Sequence, residues 1–167
     1  FDALVFMDFS RTSMTEVDGL QCGVYEPLEP ALLPPLYLAY SEDVAEPTEV
    51  MHNNLRARFQ QGDPEVVNAM HVFAELAQQA RDALVEEDPS QLSDLMDRNF
   101  SLRQSICQLR KEHQQMVQVA RSVGVSAKFA GSGGAIVGVC DTDEKFESLR
   151  KEMGRIGCRV IRPEIGI

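Results

Sequence analysis

The stretch Lys128-Phe-Ala-Gly-Ser-Gly-Gly-Ala-Ile-Val-Gly-Val-Cys140 sets four small residues between two short apolar runs. Residues 125–130 and 135–140 read as strands, so Gly131, Ser132, Gly133 and Gly134 must connect them. Glycine accepts positive φ and lets a ligand or another backbone come close. Successive main-chain N–H groups in such a turn can converge into a concavity for an anion. This is not a Walker A loop, because no Lys-Ser or Lys-Thr pair follows. Nor is it G-x-G-x-x-G, since Ile136 stands where the third glycine belongs. On the residues alone two readings stay open, a phosphate-facing loop and a glycine-rich hairpin without a ligand.

Downstream of the hairpin, a helix is predicted from about Thr142 to Ile156, closed by Gly157, with a last strand over Cys158–Arg162. Upstream, a helix from about Lys111 to Ser122 carries Met116, Val117 and Ala120 and stops at Gly124. Asp63-Pro64 and Asp88-Pro89 are N-cap and first-turn pairs that open two more helices. The first has an apolar stripe through Val66, Met70, Phe73, Ala77, Ala80 and Leu84. The second has Leu92, Leu95, Met96, Asn99, Leu102 or Arg103, and Ile106. Another helix is expected from Pro47 to about Gln61, ending at Gly62.

Towards the start, Leu36–Tyr40 reads as a strand. Before it, Pro27, Pro30, Pro34 and Pro35 form a stiff extended connector, the best boundary candidate. Ala3–Phe9 reads as a buried strand with Asp8 as its odd polar residue, and Val24-Tyr25 as a short returning strand after a turn bracketed by Gly19 and Gly23. Strand, helices, hairpin, helix, strand make an α+β layer, with helices on one face of a mostly antiparallel sheet.

The formal charge of −10 argues against a broad nucleic-acid or anionic-membrane footprint. No apolar run approaches the roughly 20 residues a bilayer requires. Cys22, Cys107, Cys140 and Cys158 are widely spaced, without a C-x-x-C pair or a histidine cluster. They read as reduced thiols of a cytoplasmic protein, and no metal site is expected. The chain opens on an apolar strand without an initiator Met, as the middle of a longer protein would.

Leu95-Met-Asp-Arg-Asn99, Met116-Val-Gln-Val-Ala120 with Gly124, and Ala127-Lys-Phe-Ala-Gly-Ser-Gly-Gly-Ala135 together resemble the carboxy-terminal half of the GHMP small-molecule kinases. Within that family the glucuronokinase branch is resembled through Val5-Phe-Met-Asp-Phe-Ser10, Leu32-Leu-Pro-Pro-Leu-Tyr37 and Leu95-Met-Asp-Arg-Asn-Phe-Ser-Leu-Arg103. The resemblance implies a ferredoxin-like carboxy-terminal domain over residues 31–167, preceded by the last strands of an amino-terminal domain over residues 1–30. It implies ATP and Mg²⁺ as cofactors, bound mainly by that amino-terminal domain, and a sugar or uronic acid as substrate. The activity implied is phosphorylation of D-glucuronate to its 1-phosphate. The alternatives are another sugar-1-kinase of fucose, arabinose or heptose type, or a non-catalytic ligand-binding module.

The family's phosphate loop and catalytic residues find no counterpart here, so no catalytic residue is assigned and the segment alone is expected to be inactive. Gly131, Ser132, Gly133, Gly134 and Ala135 form the expected phosphate and substrate loop. Arg56, and less so Arg58, are expected beside the sugar pocket, where a guanidinium would suit a carboxylate. Asp8 either touches substrate or satisfies a nearby turn. Asn99 and Lys128 are expected to stand behind the loop; a buried amide such as Asn99 needs partners, and it either holds the glycine loop or caps a neighbouring strand carbonyl. Glu86, Glu87 and Asp88 read as a solvated junction rather than as Mg²⁺ ligands.

Overall fold

The computed structural model describes residues 4–10, 14–41 and 55–164. Four strands form the central sheet: β5 (Leu36–Ser41), β6 (Lys128–Phe129), β7 (Ala135–Val139) and β8 (Cys158–Ile161). Their order is β6-β7-β5-β8, and every pairing is antiparallel. The chain enters at β5 in the sheet's interior and crosses through helices to the edge at β6. It turns back along β7 beside β5, then crosses again to β8 on the far side. That is the ferredoxin-like arrangement, with extra helices in its first crossover.

Those helices are α1 (residues 55–60), α2 (Pro64–Val85), α3 (Leu92–Ile106) and α4 (Lys111–Ser122); α5 (Asp143–Arg155) makes the second crossover. Side chains alternate across each strand, so Tyr37 and Ala39, Ile136, and Cys158 and Val160 all reach the buried face. Against them pack Phe100 from α3, Met116, Val117 and Ala120 from α4, and Leu149 and Met153 from α5.

The helix signals act as their chemistry requires. Asp63 Oδ1 accepts from the Glu65 amide at 3.0 Å, and Pro64 opens α2. Thr142 caps α5 through the Lys145 amide. The expected helix start at Pro47 lies outside the described residues. Asp88-Pro89 opens a 3-10 turn, Pro89–Gln91, and α3 proper begins at Leu92. The buried stripe of α2 runs through Val66, Ala69, Leu76, Ala83 and Leu84, whereas Ala77 is exposed. Alanines carry little preference of their own, and contact with α3 selects which of them are covered.

Residue 125 onwards was expected to be strand, yet β6 is only two residues long. The Ala127 amide donates to Asp97 Oδ1 at 2.9 Å, and the Val139 amide donates to Ser126 Oγ at 3.0 Å. Tyr37 sends its hydroxyl to the Ser126 carbonyl at 2.8 Å. A β-carbon at Gly138 would fall 1.8 Å from that carbonyl oxygen. Side chains thus replace ladder bonds where two main chains cross closely.

The amino-terminal segment is a separate ribbon in which β1 (Leu4–Asp8) pairs with β4 (Val24–Leu28). Between them lies a hairpin of β2 (Thr15–Val17) and β3 (Leu20–Cys22), turned by Asp18-Gly19 with positive φ at both positions. β1 is half-buried rather than buried, with Met7 49% exposed. Pro27 pairs with Val5 inside β4, so the connector begins after Leu28, and it contains a 3-10 turn at Pro30–Leu32 instead of being extended throughout. An edge of a two-stranded ribbon tolerates proline because no ladder partner needs its missing donor. Arg81 of α2 reaches the ribbon through Glu26 at 2.6 Å.

Candidate functional site

The β6–β7 connection is anchored at both ends. The Ala130 amide donates to the Ala135 carbonyl at 3.0 Å, and the Ser41 amide donates to the Gly134 carbonyl at 3.0 Å. The loop is therefore pinned to the end of β5 as well as to its own strands. Gly134 is buried with φ +74°, a left-handed conformation that a β-carbon would strain.

Two side chains hold the loop between those anchors. His113 of α4 is 1% exposed, and its ring lies under Gly133: a β-carbon there would fall 2.4 Å from Nδ1. Arg103 of α3 donates through Nη1 to the Gly131 carbonyl at 2.8 Å, with a longer contact of 3.5 Å from Nη2 to the Ser132 carbonyl. Phe129 sits between them, edge-on to His113 at 5.9 Å and beneath the Arg103 guanidinium at 5.2 Å. Burial lowers the pKa of Arg103 from its ordinary value, with the guanidinium still charged at neutral pH. At Gly131 an added β-carbon would meet nothing within 4 Å, so this side of the loop is open.

Asn99 lies on α3 and Lys128 on β6, the strand that leads into the loop. Both line a groove of about 350 Å³ between α2 and α3, with Leu76, Ala80, Leu95 and Met96. Burial, and the positive charge of Arg103, push the Lys128 ammonium down, and its Nζ donates to the Phe129 carbonyl at 3.0 Å. Ala135 begins β7 and supplies the carbonyl that closes the loop. Asp8 ends β1, and its Oδ1 accepts from the Ser10 amide at 2.8 Å in a local turn. Arg56 is exposed on α1. Arg58 is committed to the fold: it bonds Asp63 at 2.8 Å, the Ile106 carbonyl at 2.8 Å and Glu65 at 3.0 Å.

Sequence reasoning passed over His113 and gave Arg103 no role. The signal for His113 was its position three and four residues before Met116 and Val117, on the buried stripe of α4. Arg103 follows Asn99 by four residues and so shares its side of α3.

A second cavity of about 770 Å³ lies at the other end of the sheet, where β5 begins and β7 finishes. Pro35, Ser93, Asp97, Arg121, Ser126 and Lys145 contribute to its wall. Its cations already pair locally, Arg121 with Asp97 at 3.0 Å and Lys145 with Asp141 at 2.9 Å. None of the glycine-loop residues 131–134 lines it. Among the described residues no group of three or more His, Cys, Asp or Glu is placed to hold a metal ion, and no helix is long and apolar enough to cross a membrane.

The four-stranded antiparallel sheet, with a glycine loop braced at its β6–β7 turn, defines a ferredoxin-like α+β domain. Residues 80–158 match the family described as GHMP kinases C terminal, and the chain carries the carboxy-terminal domain of that family. Over 164 residues, 96% of this chain, it is 39% identical to "Probable glucuronokinase 2" of Arabidopsis thaliana. Over 162 residues it is 40% identical to "Glucuronokinase 1" of the same plant. The chain spans 43% of the length of each of these relatives. Among solved structures, mevalonate kinase of L. major in complex with R-mevalonate superposes with a TM-score of 0.71 at 19% identity, covering 92% of this chain and 49% of that one. The Lin0012 protein of Listeria innocua gives 0.77 at 17% identity, over 90% of this chain and 44% of that one. Galactokinase of Lactococcus lactis complexed with galactose gives 0.65 at 15%, over 86% and 48%. At such identities the structural likenesses speak for the fold alone.

Proposed function

We propose that this chain is the carboxy-terminal half of an ATP-dependent sugar kinase that phosphorylates D-glucuronate at its anomeric hydroxyl. The observation that carries the reading is the 39% identity to a protein named a probable glucuronokinase, sustained over nearly the whole chain. The braced loop at 131–134 is compatible with it. Phosphoryl transfer asks chiefly for alignment and for donors aimed at the migrating group, and a rigid turn rich in main-chain N–H groups suits that task.

In this reading residues 1–30 are the last strands of the amino-terminal domain and residues 31–167 are the carboxy-terminal domain. The separate β1–β4 ribbon, with Met7, Phe9, Val24 and Tyr25 all more than 40% exposed, supports a further partner for that segment. ATP and Mg²⁺ are assigned mainly to the other half of the enzyme, and the segment alone is inactive. All four cysteines are free, which suits a reducing cytoplasm.

The test is a substrate panel on the full-length protein with ATP and Mg²⁺, following the sugar 1-phosphate by phosphorus NMR. D-Glucuronate should have the highest kcat/KM. A higher value for fucose, arabinose or a neutral hexose would replace the acceptor, and no turnover of any sugar would remove the kinase assignment.

A further inference from the structure

We infer that Arg103 is a positioning residue of the phosphoryl-transfer site: it turns the amides of Ser132 and Gly133 toward the migrating phosphate. The inference rests on the kinase reading above and adds a residue to it.

In a trans peptide the carbonyl of one residue and the N–H of the next point to opposite sides of the chain. No peptide bond among the described residues is cis. Arg103 draws the Gly131 carbonyl toward α3 at 2.8 Å, so the Ser132 N–H is directed away from α3. The longer contact with the Ser132 carbonyl orients the Gly133 N–H in the same sense. The ring of His113 fills the space beside Gly133 and opposes collapse of the loop toward α4. At Gly131 an added β-carbon would meet nothing within 4 Å, so the loop can be approached there.

A guanidinium suits this task because its donors are held in one planar fork. Phe129 beneath it limits its movement, as does the partial burial of its stem. Lysine would keep the charge but present no fork, so it separates positioning from simple electrostatics.

The test compares wild type, Arg103→Ala and Arg103→Lys in the full-length enzyme, with exposed Arg98→Ala as control. Misdirected donors should lower kcat roughly 100-fold in both Arg103 variants, the scale of losing one oriented donor, while KM for ATP and for the sugar stays within about threefold. Wild-type kcat in Arg103→Lys would overturn the inference, as would a rise in KM with kcat unchanged.

A second arm does not depend on turnover or on folding of the alanine variant. In ¹⁵N-glycine-labelled wild type, the Gly133 amide should shift on addition of AMP-PNP with Mg²⁺, and in Arg103→Lys that shift should be lost. Absence of the shift in wild type would also overturn the role. Should another sugar prove to be the acceptor, the substrate assignment falls while both arms still decide the part played by Arg103.

Discussion

The ring of His113 occupies the space that a β-carbon on Gly133 would need, with only 2.4 Å left between that atom and Nδ1. The glycine is therefore a packing requirement. Gly131, two residues earlier, has open space on the same test.

Substitutions at these two positions should separate folding from catalysis. Gly133→Ala must displace a buried ring or the loop, at a cost of about 1–3 kcal/mol. Its melting temperature and its activity should fall together. Gly131→Ala should melt within the error of wild type yet lose at least about tenfold in kcat/KM if the loop works on the phosphate. Calorimetry and steady-state kinetics on the full-length enzyme read both, and unchanged kinetics at position 131 would take the loop out of the site.

Asp97 joins α3, α4 and the approach to β6. Its Oδ1 accepts from the Ala127 amide at 2.9 Å and from Arg121 Nε at 3.0 Å. Asp97→Ala would strand a main-chain donor that has left the ladder, so a loss of about 1–2 kcal/mol is expected. Urea denaturation should show a lower midpoint for Asp97→Ala and a smaller shift for Asp97→Asn, which keeps an acceptor.

Arg58 holds the Asp63 carboxyl below its ordinary pKa, chiefly through their hydrogen bond. A depressed pKa means the contribution is complete above the unfolded value of about 3.9 and is lost as pH falls through the folded value. Asp63→Asn retains a capping oxygen but not the charge. Its melting temperature should lie below wild type at pH 6, and the gap should close as pH drops below about 4. A gap that persists at pH 2 would assign the effect to the cap alone.

Arg58 is engaged by Asp63, Glu65 and the Ile106 carbonyl, which leaves Arg56 as the freer guanidinium on α1 for an anionic sugar. Arg56→Ala should raise KM for D-glucuronate several-fold with KM for ATP unchanged. Equal changes in both constants, or in neither, would remove Arg56 from the sugar pocket.

Local chemistry was enough to read much of the architecture. The Gly131–Gly134 knot between apolar runs, the cap at Asp63 with Pro64 behind it, and the glycine stops at Gly124 and Gly157 are signals that act over a few residues, and the structure uses each of them. The α+β class follows from their order along the chain, because an apolar helix stripe and an apolar strand face have only each other to cover. The Asp18-Gly19 hairpin was legible in the same way and was passed over.

Tertiary structure alone decided what holds the loop. Arg103 and His113 stand on different helices, 28 and 20 residues before the glycines they meet, and no periodicity joins them to that turn. Likewise β6 is short because Asp97 and Ser126 intercept amides that a strand pattern would assign to the ladder. Periodicity specifies which face of an element is apolar; which polar side chain reaches which main-chain group is settled only when the faces pack.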